Sequence, residues 1–131
     1  MNKRDLWPDF CISPSRIIER QASLLGAKTN SIVIAQVNRK NISDNKFHYT
    51  FSLIAPVLDN YSFQLFAYLY DFDYYPIHFI LDEKIDKEIK FTETWINVKD
   101  REGLLILLGK IFNSKRVAQI INTLLSESEG R

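Results

Sequence analysis

Residues 46–70 read KFHYTFSLIAPVLDNYSFQLFAYLY, and this stretch decides the fold. In its first half large apolar side chains alternate with smaller polar ones, which is the period-two pattern of a strand with one buried face. The second half alternates again, and Asp59-Asn60 separates the two halves. Both residue types tolerate the positive φ that a tight hairpin turn requires. The stretch therefore predicts two antiparallel strands, 46–57 and 61–70.

The same alternation assigns side chains to the two faces of this hairpin. One face of the first strand carries Phe47, Tyr49, Phe51, Leu53 and Ala55, and the other carries His48, Thr50 and Ser52. In the second strand one face carries Phe63, Leu65, Ala67 and Leu69, and the other carries Gln64, Phe66, Tyr68 and Tyr70. We expect helices to cover one sheet face and the rings of Phe66, Tyr68 and Tyr70 to lie on the open one.

Further strands flank this hairpin. Residues 31–42 are β-rich and are followed by turn residues at 43–45, while 77–81 (IHFIL) and 89–98 alternate on the other side. Residues 82–90 (DEKIDKEIK) are interpreted as a charged linker or a strongly polar strand. Because the connections are short, the strands should form an antiparallel meander of four or five members.

Helical patterns stand at both ends of the chain. Ser13 and Pro14 are typical of an N-cap and a first helical residue, and Gly26 of a C-terminal stop, which predicts a helix over 14–26. Residues 103–112 (GLLILLGKIF) are apolar almost all round, as in a helix buried against a sheet. Ser114 caps a second helix with apolar residues at helical spacing. The fold class is therefore α+β, with both C-terminal helices packed on one sheet face.

Length and composition predict one cytoplasmic domain. A chain of 131 residues with 46% hydrophobic residues can bury one core, so residues 1–131 form a single domain with an N-terminal arm over 1–12. The lone cysteine, Cys11, points to a reducing compartment. The N-terminus lacks a signal-peptide pattern, and no apolar run is long enough to span a membrane.

Charge is distributed unevenly although the net charge is only +1. Residues 1–40 hold seven basic and three acidic residues, whereas 59–93 hold eight acidic residues and three lysines. We interpret this chiefly as neutralisation across one fold, but such a bipolar surface can also orient a partner or a second copy.

The connection between the third and fourth strands concentrates aromatic and acidic side chains. Residues 68–79 read YLYDFDYYPIHF. Tyrosine adds large contact area at low entropic cost, and carboxylates complement a basic surface. We therefore expect a binding edge for a protein partner, of basic character, formed by Asp71, Asp73, Tyr74, Tyr75 and His78.

Two catalytic interpretations use the same region. Asp71, Asp73 and His78, with Asp82, offer the ligand types of a divalent-metal hydrolase. Residues 82–84 (DEK) match the acid–any–lysine pattern of some restriction-type nucleases, in which a lysine helps to activate water. Acidic residues are common in turns and in solvated charge runs, so neither spacing is diagnostic.

Other classes lack the residues they need. No local signature surrounds Cys11, which a thiol mechanism would have to bring beside His48 or His78. Four glycines form no phosphate-binding loop, so no cofactor is expected. A near-neutral charge and a mostly apolar last helix disfavour nucleic acid.

The residues together favour a small non-enzymatic interaction module that docks a protein partner or itself, in the manner of an inhibitor or immunity protein. The metal-dependent hydrolase or nuclease is the first alternative. A structural homodimer formed through the open sheet face is the second, and in that case no outside partner exists.

Overall fold

The computed structural model describes residues 6–8, 12–89 and 96–130. It confirms the α+β class, because five antiparallel strands stand side by side in chain order and helices pack on one face of the sheet. The elements are α1 (Pro14–Lys28), β1 (Ile34–Ser43), β2 (Lys46–Ala55), β3 (Tyr61–Tyr70), β4 (Ile77–Leu81), α2 (Glu83–Glu88), β5 (Ile96–Val98), α3 (Arg101–Phe112) and α4 (Lys115–Glu129).

Two tight turns set the meander. Asp44 and Asn45 join β1 to β2 with φ of 51° and 62°, and Asp59 and Asn60 precede β3 with φ of 55° and 59°. The left-handed conformation predicted at 59–60 is therefore confirmed. The first strand of this hairpin ends earlier than predicted, because residues 56–58 form a 3-10 helix. It begins with a proline, which has no N–H to donate to a strand ladder.

A β-bulge in β3 shifts the strand register by one residue. Phe51 pairs with Phe66, but the next residue, Ser52, pairs with Gln64. Leu65 is therefore the extra residue that β2 does not match. A bulge of this kind exchanges the faces of all the side chains that follow it.

The bulge reverses the predicted faces in the second half of β3. Phe66, Tyr68 and Tyr70 lie on the helix-covered face, where their exposed fractions are 0%, 1% and 3%. Ala67 and Leu69 lie on the opposite face, which we call the open face. The prediction that the three aromatic rings line the open face is therefore wrong, and a homodimer through that face loses the rings that motivated it.

Helix α1 is anchored by its first turn to these tyrosines. Ser13 is the N-cap and Pro14 the first helical residue, as predicted, and the helix ends at Lys28, two residues beyond the predicted end. The Ser15 hydroxyl lies 3.0 Å from the Tyr68 hydroxyl, and the Ser15 N–H donates to the Tyr70 hydroxyl at 3.3 Å. Burial raises the pKa of both phenols well above the ordinary value, so both rings stay neutral beneath the helix.

Residues 83–88 form a helix, so the prediction of a linker or polar strand over 82–90 is wrong. Asp82 is the N-cap of α2, with its carboxylate accepting from the N–H groups of Lys84 and Ile85, and Ile85 is completely buried. Carboxylates at the first turn favour a helix through its dipole. Of the strand predicted over 89–98, residues 96–98 are observed as β5, whereas Ile89 is the C-cap of α2 and residues 90–95 lie outside the described part of the chain.

A carboxylate of α2 caps α4 from outside that helix. The two oxygens of Glu88 accept from the N–H groups of Lys115 and Arg116 at 2.6 and 2.8 Å. Ser114 is the N-cap of α4, as predicted, and accepts from the N–H of Val117 at 3.1 Å. The start of α4 is thus held by two independent groups.

We expect Glu88→Ala to lower the free energy of unfolding by about 1 kcal/mol, because two helix N–H groups lose a charged acceptor. Urea denaturation would measure the change. Glu83→Ala is the matched control, because Glu83 forms an exposed ion pair with Lys87, at 3.1 Å. It should change stability by a few tenths of a kcal/mol at most. Equal losses in the two variants would contradict the capping role.

Helix α3 is less buried than its sequence predicts. It begins at Arg101, where the Asp100 carboxylate accepts from the Gly103 N–H at 2.7 Å. The side chains of Leu105 and Ile106 are 45% and 54% exposed, although the expectation was burial all round. Across the part of the chain that the structure describes, no helix is both long and apolar enough to cross a membrane.

Candidate functional site

The predicted binding edge is a turn whose backbone is held by its own aspartate. We call residues 71–76 the acidic turn. The Asp71 carboxylate accepts from the Asp73 N–H at 2.9 Å, and the Asp71 carbonyl accepts from the Tyr74 N–H, also at 2.9 Å. Tyr74 has φ of 70°, and the Tyr75–Pro76 peptide bond is cis. As predicted, the aspartate satisfies turn backbone groups, so the loop has a defined shape.

Phe72 is the residue of this turn that the sequence reading missed. Its side chain is 75% exposed, between the carboxylates of Asp71 and Asp73. Its ring meets that of Phe47 edge-on, with centroids 5.2 Å apart. The ring is therefore supported from one side and open to solvent on the rest. The sequence does contain a signal for this exposure, because a residue between two aspartates of a turn has little access to the core.

The two tyrosines of the turn contribute mainly to packing. Both Tyr74 and Tyr75 are half-buried and lie against the core. The Tyr74 ring meets Tyr70 edge-on at 6.0 Å between centroids. Burial raises the pKa of the Tyr75 phenol, with Arg101 acting in the opposite direction. These rings brace the acidic turn against the sheet and offer only part of their surface to a partner.

His78 lies on the opposite face of the sheet from Tyr74. It pairs with Leu69 on one side and Asn97 on the other, and these three residues share the open face. The His78 ring nitrogen Nδ1 is hydrogen bonded to Oδ1 of Asn97. Tyr74 packs on the covered face instead. The structure thus brings Asp71 and Asp73 together in one turn and places His78 on another surface.

The residues of the catalytic alternatives are dispersed or already bonded. Asp82 stands at the far end of β4 from the acidic turn, where it caps α2 and lies 3.7 Å from Arg116. Residues 82–84 begin a helix, whereas the nuclease interpretation needs them on a strand. Within residues 6–8, 12–89 and 96–130, no group of three or more His, Cys, Asp or Glu side chains is placed to hold a metal. Cys11 lies outside the described residues.

The acidic turn therefore combines three properties: a backbone held by internal hydrogen bonds, an exposed ring, and two flanking carboxylates. It offers a contact surface more readily than a reaction centre. Comparison of the chain with protein-family models, with curated proteins and with solved structures finds no match.

Proposed function

We propose that this protein is a small non-enzymatic interaction module that docks a protein partner through the acidic turn. The observation that carries the proposal is Phe72, an aromatic ring that is 75% exposed on a turn with a fixed backbone. Aromatic anchors that enter a pocket of the partner contribute most of the energy of many interfaces. A turn that is already ordered loses little conformational entropy when it binds.

Charge defines the partner that fits. Asp71 and Asp73 flank the anchor, and they belong to the segment 59–93 in which acidic residues outnumber lysines by eight to three. A complementary surface has an apolar pocket for Phe72 and a basic rim around it. Such a pairing speeds association and makes it sensitive to salt.

The test is affinity capture from the native cell lysate, followed by binding measurements on any protein enriched. We expect Phe72→Ala to weaken binding of that protein at least ~30-fold, the effect of losing a central anchor. Asp71→Asn with Asp73→Asn keeps the side-chain acceptor of the turn but removes its charge. It should lower the association rate and flatten the salt dependence.

The matched control is Asp44→Asn, which removes an exposed charge from the turn between β1 and β2. It should bind the partner as the wild type does. A partner that all variants retain equally would contradict this assignment of the surface. A dimer detected by sedimentation, with no outside partner captured, would support the homodimer instead.

A further inference from the structure

An apolar groove lies between the helices on the covered face of the sheet. One wall is α1 and the other is α3 with α4, and β2 and β3 form most of the floor. Phe51, Leu53 and Leu65 form the closed floor, where they are buried, and the groove above them has a volume of about 490 Å³. This volume is within the roughly 300–1,000 Å³ typical of small-molecule sites.

Leucines on both walls of the groove are open to solvent. Leu24 of α1 is 52% exposed and Leu105 of α3 is 45% exposed, and both line the groove. A single exposed leucine is ordinary, but apolar side chains that converge on one concave surface mark a binding site. The helices are thus held apart over the sheet, and the space between them is apolar.

One cation stands at this groove. Among the described side chains that line it, Lys28 in the last turn of α1 carries the only charge. Gln21 and Asn113 add neutral polar groups, and the Asn113 side-chain amide already donates to the Gly109 carbonyl at 2.8 Å. The lining therefore suits a ligand with a long apolar part and one anionic end.

The size of the groove favours a linear chain over a partner helix. A helix 10–12 Å across occupies about 400–600 Å³ in each turn of 5.4 Å. The groove could therefore hold about one helical turn, which would bury little apolar surface. An alkyl chain is thinner and could lie along the groove in contact with its walls.

We propose that this groove binds a free single-chain carboxylate of the fatty-acid type, with its chain between Leu24 and Leu105 and its carboxylate at Lys28. The proposal is independent of partner docking through the acidic turn. The ligand would enter between α1 and α3, where Leu24 and Leu105 are exposed.

Gly109 gives a direct way to close the groove. It lines the groove from α3, and a Cβ added to it meets no heavy atom within 4 Å. The Cβ of Gly109→Leu is therefore accommodated without a shift of its neighbours, and we expect the rest of the side chain to occupy groove space. Gly109→Ala adds a single methyl group and removes the helix cost of glycine, so we expect its melting temperature to rise by roughly 3 °C.

The experiment is calorimetric titration of the intact protein with decanoate and dodecanoate, below their micelle concentrations. We expect saturable binding at one site, with affinity rising about fourfold for each added CH₂. Gly109→Leu should abolish binding while melting at or above the wild-type temperature, and Gly109→Ala should retain it. Phe72→Ala should bind dodecanoate as the wild type does, which separates this test from that of the acidic turn.

The head group is tested with the charge at Lys28. Lys28→Gln should weaken the binding of dodecanoate about three- to tenfold and leave the binding of neutral dodecanol unaffected. Lys84 is an exposed lysine of α2 outside the groove, so Lys84→Gln should change the affinity for neither ligand. Absence of saturable binding would overturn the proposal, as would dodecanoate binding that survives Gly109→Leu. A captured protein that Gly109→Leu releases, with no carboxylate bound, would replace the ligand by a macromolecular partner. Equal affinity for dodecyltrimethylammonium would overturn the anionic head group.

Discussion

Replacing Phe66 with alanine should lower the free energy of unfolding by about 3–5 kcal/mol, the range for a fully buried ring. The Phe66 side chain has no exposed surface. It stacks on Phe51 with centroids 4.8 Å apart and meets Phe79 at 5.5 Å, so it joins β2, β3 and β4. Removing the ring leaves a cavity that three strands cannot close without losing their register.

The control for this prediction is Leu69→Ala on the same strand. Leu69 is half-buried on the open face, so its truncation should cost only about 1 kcal/mol. Urea denaturation followed by circular dichroism measures both variants. Because simple alternation would place Leu69 inside and Phe66 outside, a larger loss for Leu69→Ala would contradict the bulge at Leu65.

Alkaline pH should destabilise the protein strongly, because two phenols are buried under α1. Burial raises the folded-state pKa of Tyr68 and Tyr70, while the unfolded chain has the ordinary value of 10.0. Above pH 10 the unfolded state therefore releases protons that the folded state keeps. The stability contributed by each tyrosine is complete below pH 10 and falls by about 1.4 kcal/mol per pH unit above it.

Tyr68→Phe isolates this effect from the titration of lysines. At pH 8 the variant should be less stable by about 1 kcal/mol, because the Ser15 hydroxyl loses its buried partner. Above pH 10 the stability of the variant should fall less steeply than that of the wild type, with a difference in slope of about 1.4 kcal/mol per pH unit. The two stability curves should therefore cross near pH ~11. Tyr61→Phe, at a tyrosine that is 52% exposed, should follow the wild-type slope. Parallel curves for Tyr68→Phe and the wild type would contradict the prediction.

Most strands of this fold and the starts of α1 and α4 could be predicted from local chemistry. Serine caps before α1 and α4 and the Asp59–Asn60 turn depend on a few neighbouring residues, and all three are confirmed. The faces of the β3 side chains could not be predicted, because the extra residue Leu65 reverses them. The alternating sequence pattern does not reveal this bulge. Helix α2 was missed because Ile85 is its one buried side chain, so it has almost no apolar stripe.

The candidate site was predicted in part for the same reason. That Asp71 holds a turn follows from residue type, and in the structure its carboxylate accepts from the Asp73 N–H. The exposure of Phe72 and the separation of His78 depend on which face each strand residue takes. The apolar groove depends on the distance between α1 and α3, which no local pattern records. Its lining residues looked like ordinary core positions.

The contact between Ser15 and Tyr68 has a consequence for how the chain folds. From β1 to β4 each strand pairs with the next one in the chain, so this part of the sheet can form by closing one short loop after another. The first turn of α1 is different, because its anchor joins residues 53 positions apart. Closing so long a loop costs more entropy than a hairpin turn, and the phenol it needs is placed only once β3 is formed. We therefore expect the first turn of α1 to join Tyr68 late, after β3 has paired with β2.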